Sequence, residues 1–152
     1  MAVEYERKFL VNGDGWREEA IHHAHIRQGW LHTDDVCEVR VRITETEAMV
    51  ACKIRLPESG HRLELEETVE TEVGRRLYEQ CSTTLVKRRW RLVDGGGTWE
   101  IDEYGGALSG LVTAEMENPE PGLVIPPWAG VELTGAVEWG NAALAARGRP
   151  RN

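Results

Sequence analysis

The chain has 152 residues, of which 41% are hydrophobic and 29% charged, which favours one globular domain with a sizeable core over a disordered chain. The net charge of −8 argues against a nonspecific nucleic-acid binder, which normally presents a basic surface. No apolar run approaches the roughly 20 residues that span a bilayer, and the charged start MAVEYERK lacks a signal-peptide core, so we expect a soluble cytoplasmic protein.

The first predicted element is a strand over residues 3–11. Within this strand Glu4, Glu6 and Lys8 share one face, because strand side chains alternate between the two sides of a sheet. Taken alone, the segment fits a polar strand at the edge of a sheet equally well. The rest of the chain decides between these interpretations.

Alternating apolar and charged residues recur along the chain and predict a mainly β domain. The further predicted strands run over residues 24–32, 36–44, 48–56, 62–70, 84–93, 98–104 and 111–117. Helices are predicted over residues 16–23, 71–82 and 136–147, and prolines between residues 119 and 127 predict an extended loop. In the second helix Val73, Leu77 and Cys81 form the apolar face. About eight strands joined mostly by short loops favour an antiparallel meander.

Cysteine and histidine residues give no metal signature. The cysteines are Cys37, Cys52 and Cys81. They are widely spaced with no C-x-x-C pair, so we interpret them as reduced, buried thiols. The neighbouring histidines are His22, His23 and His25. No acid or cysteine accompanies them at metal-ligand spacing, which favours surface or strand positions near a loop.

The polar faces of the strands carry an ordered set of charges. The basic members are Lys8, Arg40, Arg42, Lys53, Arg55, Arg62, Lys87, Arg89 and Arg91. The acids form E-x-E pairs on three strands, at Glu4 and Glu6, Glu64 and Glu66, and Glu115 and Glu117. The ordinary interpretation is a sheet whose charged side meets water. If the helices instead cover the apolar side of a closed sheet, the charged faces point inward.

An inward charged face has chemical consequences. An eight-stranded barrel has an interior that side chains fill or that holds one small ligand. A lumen lined by about nine cations requires an anion, because like charges repel strongly in a low-dielectric space. Paired carboxylates supply oxygen ligands for Mg²⁺ or Mn²⁺, which bridge carboxylates and phosphates. Together these groups indicate a substrate with a chain of phosphates.

These residues resemble the CYTH domain, or triphosphate tunnel metalloenzyme, family, and its small bacterial members in particular. The hallmark E-x-E-x-K stands at Glu4, Glu6 and Lys8, and the resemblance extends over nearly the whole chain. Its further blocks are RQGWL at 27–31, EVRVR at 38–42, CK-I-R at 52–55, RLELE at 62–66, VKRRW at 86–90, EIDEYGGALSGL at 100–111, AEME at 114–117 and LTGAVEWGNAALA at 133–145.

The sequence departs from the family pattern at Trp139-Gly140-Asn141, where the family usually has tyrosine at the first position. We expect this difference to affect helix packing near the tunnel more than the chemistry.

The resemblance implies an α+β, mainly β fold: an eight-stranded antiparallel β-barrel, or tunnel, with a charged lumen and helices packed outside. It implies one domain over residues 1–147, and we expect the tail at 148–152 to be frayed. It also implies hydrolysis of a triphosphate with a divalent metal, Mg²⁺ or Mn²⁺. The expected metal ligands are Glu4, Glu6, Glu64, Glu66, Glu115 and Glu117, with Asp102 as a further member. The expected phosphate-binding residues are Lys8, Arg40, Arg42, Lys53, Arg55, Arg62, Lys87 and Arg89.

Lys8, Glu4 and Glu6 are the expected catalytic residues. We favour a water molecule held by carboxylates as the nucleophile, with metal and cations stabilising the charge of the transferring phosphate. Whether Lys8 acts as a general base or only holds phosphate stays open.

Inorganic tripolyphosphate is the first choice of substrate, because the short chain shows no segment that builds a nucleobase pocket. Thiamine triphosphate, which could stack on Trp30 or Trp90, comes second, and adenylate cyclase chemistry third. A non-catalytic polyphosphate sensor and a barrel that carries an apolar ligand are the alternatives from other classes. No nucleic-acid or membrane partner is expected, and the sequence leaves a monomer and a homodimer both open.

Overall fold

The computed structural model describes residues 2–59 and 61–151, with side chains from Tyr5 onward. The chain is mainly β, with two α-helices and two short 3₁₀ helices among these residues. The strands are β1 (Ala2–Glu4), β2 (Glu6–Val11), β3 (Ile21–Thr33), β4 (Cys37–Ile43), β5 (Ala48–Arg55), β6 (Arg62–Val69), β7 (Thr83–Asp94), β8 (Gly97–Tyr104), β9 (Val112–Glu117) and β10 (Ala129–Glu132). The helices are α1 (Thr71–Glu79) and α2 (Asn141–Arg147), and the 3₁₀ helices are Gly106–Leu108 and Val137–Trp139.

All ten strands lie in one antiparallel sheet, in the order β1-β6-β5-β4-β3-β7-β8-β9-β2-β10. Only Tyr5 separates β1 from β2, yet β1 pairs with β6 and β2 pairs with β9. The N-terminal segment therefore contacts both halves of the sheet. The strand order still has two ends, and within residues 2–59 and 61–151 no pairing joins β1 to β10. The predicted closed eight-stranded barrel is thus not confirmed.

Each predicted strand is present, with ends that differ by a few residues. The structure has ten strands because Tyr5 interrupts the first predicted strand and because β10 forms between the predicted proline loop and the last predicted helix. β10 pairs with β2 through an irregular register, at Ala129 opposite Val11 and Glu132 opposite Phe9. β10 is too short to show the alternation of apolar and charged residues that marks the other strands. The sequence pattern therefore did not predict it.

The apolar side of the sheet is covered in two places. Helix α1 packs over Val41, Ile43 and Ala48 of β4 and β5. The remaining part is covered by loops that contribute two buried tryptophans, Trp16 and Trp128. The strand residues beneath them are Phe9, Leu92, Trp99, Ile101, Ala114 and Met116.

A third apolar cluster closes one end of the opposite side of the sheet. Leu85 lies two residues before Lys87 on β7, and Tyr104 lies two residues after Asp102 on β8, so both share the side of these charged residues. They pack there against Trp139 and Leu144. Helix α2 therefore packs at the end of the charged side, whereas α1 packs on the apolar side. The expectation that both helices lie outside the sheet holds for α1 only.

The predicted helix over residues 16–23 is wrong. This segment forms turns and then enters β3 at Ile21. Trp16 is 1% exposed and contacts Trp90 edge-on, while Arg17 stacks on the Trp16 ring and binds Glu103 at 2.6 Å. These tertiary contacts stabilise a turn in a segment whose sequence is also compatible with a helix.

The other two predicted helices are present but shorter. Helix α1 ends at Glu79, and its buried residue is Gly74, whereas Val73 is 43% exposed. The predicted helix over 136–147 is divided by Gly140, whose ψ of 153° is extended, into a 3₁₀ turn and α2. Arg149 of the C-terminal tail lies over the Trp139 ring.

All three cysteines are free thiols, as predicted, but each is half-buried rather than buried. In the part of the chain that the structure describes, no helix is both long and apolar enough to span a membrane.

Helix α1 gives a test of its packing. A Cβ atom at Gly74 would lie 2.3 Å from the Ala48 Cβ. Gly74→Ala should therefore destabilise the protein by about 1–3 kcal/mol, although alanine is the better helix former by about 1 kcal/mol. Chemical denaturation measures the change, and Ala48→Gly in the same chain should restore part of the loss. A stabilised Gly74→Ala protein would contradict this packing.

Candidate active site

The side of the sheet opposite α1 carries most of the site residues predicted from the sequence, and we call it the charged face. It bears Glu6, Lys8, Arg40, Arg42, Lys53, Glu64, Glu66, Lys87, Arg89, Glu100, Asp102, Glu115 and Glu117. Most of the residues between them along the strands are apolar. Several of these long polar side chains are buried, so the sheet curves around this face.

Asp102 on β8 joins two cations of β7. Its carboxylate accepts hydrogen bonds from Lys87 Nζ at 2.7 Å and from Arg89 Nε and Nη2 at 2.8 and 2.9 Å. Asp102 is 1% exposed and Lys87 also 1%. Burial alone would raise the pKa of Asp102, but Arg89 and Lys87 outweigh burial and hold this pKa well below its usual range. Burial lowers the pKa of Lys87 to about 7, with Asp102 opposing the shift.

A second group of ion pairs lies on β4, β5 and β6. Arg40 Nη2 lies 3.2 Å from Glu64 Oε1, and Lys53 Nζ lies 3.9 Å from Glu64 Oε2. Arg40 Nη1 also lies 4.0 Å from Glu38 Oε1. These carboxylates hold the two cations on neighbouring strands side by side.

Two buried donors beside this group lack a hydrogen-bond partner among the described residues: Arg40 Nε and Trp30 Nε1. Trp30 and Arg40 are register partners across β3 and β4, and each is 5% exposed. Next to them Arg42 lies 3.1 Å from the Gln28 side-chain oxygen once that amide is oriented to accept. Burial, with Arg40 and Arg89 adding to it, lowers the pKa of Arg42 to about 10. Buried donors of this kind fit an anion.

Lys8 on β2 lies among backbone and carboxylate oxygens. Its Nζ donates to the Trp139 carbonyl at 2.7 Å and lies 3.6 Å from Glu115 Oε1. Burial would raise the pKa of Glu115, but Lys8, with help from Arg89 and Lys87, lowers this pKa to about 2. Glu115 is therefore ionised at neutral pH.

The predicted metal ligands lie in two groups of adjacent strands, β1 with β6 and β8 with β9 and β2. Glu6 is opposite Glu117, and Glu115 lies opposite Lys8 on one side and Glu100 on the other. Glu64 is engaged with cations, and Glu66 is near enough to Arg42 to influence its charge. Over residues 2–59 and 61–151 no group of three or more histidine, cysteine, aspartate or glutamate side chains is already assembled for a metal.

The other predicted site residues lie at the edge of this constellation. Arg55 and Arg62 are register partners at one end of β5 and β6, and Arg55 is exposed. Glu4 pairs through its backbone with Arg62, and its side chain lies outside the described part of the chain. His22, His23 and His25 are exposed on β3, as expected.

Known proteins resemble this chain over nearly its whole length. It is 32% identical over 148 residues to the inorganic triphosphatase of Acetivibrio thermocellus, with 95% of this chain and 94% of the relative covered. It is 33% identical over 152 residues to the inorganic triphosphatase of Nitrosomonas europaea, with 94% and 97% covered. The chain belongs to the inorganic triphosphatase family. No family model matches it.

A solved structure of the family shares the fold. The crystal structure of the inorganic triphosphatase NE1496 superposes with a TM-score of 0.69 at 30% identity, covering 95% of both chains. The family's fold is thus retained over 95% of this chain.

Some members of the constellation were not among the predicted site residues. Glu100 binds Arg89 at 3.3 Å and Arg91 at 3.5 Å, and Glu38 approaches Arg40. Glu100 lies two residues from Asp102, and Glu38 lies two residues from Arg40. Each acid therefore shares a strand face with a predicted site residue, and the strand period of two would have identified it. The contribution of the Trp139 carbonyl is a backbone contact, which no side-chain pattern reveals.

The ion pairs of Asp102 give a test of the site's electrostatics. Asp102→Asn keeps the shape of the side chain but leaves Lys87 and Arg89 buried beside a neutral group. We expect a loss of about 3–5 kcal/mol in the free energy of unfolding, the usual cost of removing one partner of a buried ion pair. Urea denaturation measures the change in the free energy of unfolding. Glu72→Gln, at an exposed position of α1, is the control and should change this free energy little. Equal stability of both variants would contradict the account.

Proposed function

We propose that this chain hydrolyses a triphosphate, with inorganic tripolyphosphate as the first substrate, in a reaction that requires Mg²⁺ or Mn²⁺. One observation carries the proposal: the buried charges of the described residues are unequal. Among these residues Lys8, Arg40, Lys53, Lys87 and Arg89 are buried, whereas Asp102 is the one carboxylate buried to the same degree, and Glu64 and Glu115, which pair with some of these cations, are half-buried. The buried charged side chains are thus mostly positive, although the net charge of the chain is −8. Such an excess calls for a bound polyanion.

A phosphate chain matches this arrangement in shape as well as charge. Cations lie on β2, β4, β5 and β7, so an extended anion on the charged face can contact cations from several strands at once. Arginine guanidinium groups bind phosphate oxygens in pairs, and the orphan donors of Arg40 and Trp30 offer further hydrogen bonds. We propose that Arg55 and Arg62 contact the substrate at the edge of this face.

The carboxylates fit a hard divalent cation in chemistry. Mg²⁺ is usually bound by one or two carboxylates together with substrate phosphates, rather than by a cage of protein ligands. Glu6 and Glu117, opposite each other, and the ionised Glu115 would hold it, with Glu4 from the same N-terminal segment and with Glu64 and Glu66. When bound, the metal would neutralise phosphate charge and make a bound water more acidic.

The roles of the chain's own residues follow from their contacts. Asp102 orients Lys87 and Arg89 toward the transferring phosphate, in preference to the metal role that the family resemblance allowed. Lys8 places its ammonium at the closed end of the charged face, beside Glu115. In the reaction a water oxygen attacks the terminal phosphorus, the bridging P–O bond breaks, and pyrophosphate leaves. Lys8 positions the water or the phosphate, and the cations stabilise the leaving charge.

We also propose the finer family assignment, the CYTH or triphosphate tunnel group, with the curved sheet enclosing the substrate as a tunnel. The bridging of β6 and β9 by the N-terminal segment supports it. A closed charged face would keep water from the cations and strengthen their hold on phosphate.

Thiamine triphosphate is a weaker candidate for this chain. Trp90 contacts Trp16 and His22 on the side away from the cations, and Trp30 is 5% exposed within an apolar cluster. Neither ring offers an open stacking surface for an organic base. A sensor without catalysis would have no need of the E-x-E pairs on separate strands.

The deciding experiment is phosphate release from tripolyphosphate, ATP and thiamine triphosphate, each with Mg²⁺, Mn²⁺ or a chelator. We expect the highest kcat/KM for tripolyphosphate and loss of release with the chelator. No metal-dependent release from any of the three would refute the enzyme assignment.

Arg42 separates binding from stability. Its burial beside Arg40 and Arg89 lowers its pKa, so its charge is costly in the unliganded protein. Arg42→Gln should therefore keep or raise the Tm while lowering kcat/KM for tripolyphosphate roughly 10- to 100-fold, the usual value of hydrogen bonds to a charged group. Arg76→Gln on exposed α1 is the matched control and should alter neither. Unchanged kcat/KM for Arg42→Gln would contradict phosphate binding there.

A further inference from the structure

The segment of residues 133–141, which we call the cradle, holds Lys8 at three separate atoms. The Lys8 backbone N–H donates to Thr134 Oγ1 at 3.0 Å, and the Lys8 carbonyl accepts from the Leu133 N–H at 2.7 Å. The Lys8 Nζ donates to the Trp139 carbonyl at 2.7 Å. Among the described contacts of Lys8, one short segment thus fixes both the backbone and the charged end of this side chain.

The cradle is itself a rigid structure. Backbone hydrogen bonds run from Ala136 to Leu133, from Trp139 to Ala136 and from Gly140 to Val137. The extended Gly140 then leads into α2, so that the Trp139 carbonyl is left outside the helix and is available to Lys8. A backbone carbonyl serves whatever side chain is attached. This accounts for a tryptophan at a position where the family usually has tyrosine.

One side-chain contact anchors the cradle to the site. Tyr104 donates from its hydroxyl to Asn141 Oδ1, at the start of α2. Tyr104 is 2% exposed and follows Asp102 by two residues on β8, so both side chains lie on the charged face. Its ring also lies 5.7 Å from Lys87 Nζ. The anchor therefore ties the position of Lys8 on β2 to the strand that orients Lys87 and Arg89.

We propose that Tyr104 and Asn141 are positioning residues for Lys8, which act through the Trp139 carbonyl without touching the substrate. This inference rests on the proposed triphosphatase activity. If the anchor is lost, the Trp139 carbonyl moves and the Lys8 ammonium is free to pair more closely with Glu115. A displacement of about 1 Å in a catalytic group can cost up to a hundredfold in rate.

Tyr104→Phe is the sharpest variant, because it removes one oxygen atom and keeps the packed ring. We expect kcat for tripolyphosphate to fall roughly tenfold with KM changed less than about twofold, since the phosphate-binding cations stay in place. Asn141→Ala should have the same effect, and the double variant should be no worse than either single one. Glu138→Gln, in the same segment but exposed, is the control.

The decisive comparison uses a Lys8→Ala background. If the anchor acts through Lys8, Tyr104→Phe should lower kcat by less than about twofold there, because its target is already absent. A tenfold loss in both backgrounds, or no loss in either, would overturn the proposal. Thermal unfolding of each variant identifies any loss that comes from unfolded protein, and such a loss would appear in both backgrounds.

A readout without catalysis separates this proposal from the triphosphatase assignment. The lysines of the chain are Lys8, Lys53 and Lys87, so acetylation of each can be followed by mass spectrometry. Tyr104→Phe should raise the acetylation rate of Lys8 severalfold relative to Lys53, because the Nζ loses a fixed partner. If the rate rises but the wild-type chain releases no phosphate, the cradle stands and the activity fails. An unchanged rate would refute the cradle even in an active enzyme.

Discussion

The contact between Asp102 and its two cations is the interaction on which the rest of the structure depends. Lys87 and Arg89 lie two residues apart on the same side of β7, where both are buried. Without a shared counter-charge they would repel each other. Asp102 supplies that charge from the neighbouring strand and accepts hydrogen bonds from both. The sheet can therefore curve around a charged face and leave its apolar face for α1 and the tryptophan-bearing loops. In an ordinary sheet the charged side faces water, whereas here many of the charged side chains are buried.

Compensation on the charged face is partial, and the remainder is what permits function. Glu64 and Glu115 each neutralise part of the charge of a neighbouring cation. Arg42 is buried beside other cations, which lowers its pKa, and the buried Arg40 Nε and Trp30 Nε1 donors lack hydrogen-bond partners among the described residues. A fully neutralised face would be more stable but would have no affinity left for phosphate. The C-terminal cradle adds order to this face by fixing Lys8 from outside the set of ion pairs.

The sequence predicted the alternating strands and most of the charged constellation, because burial and charge repeat with a period of two. It failed where contacts between distant segments decide. The Trp16 turn imitates a helix. On the predicted apolar face of α1, Leu77 and Cys81 pack against the sheet beside the buried Gly74, whereas Val73 is exposed. The pairing of β10 and the break at Tyr5 depend on backbone hydrogen bonds. The hold of the Trp139 carbonyl on Lys8 is equally invisible, since any residue has that oxygen.

The most direct test of the central claim is a crystal structure with Mn²⁺ and a tripolyphosphate analogue that cannot be hydrolysed. Anomalous scattering would locate the metal. We expect the phosphate chain on the charged face, between Arg40 and Arg42 on β4 and Arg89 on β7, with Mn²⁺ beside Glu6, Glu115 and Glu117. A phosphate chain bound on the apolar side of the sheet, or a metal held away from these carboxylates, would contradict it.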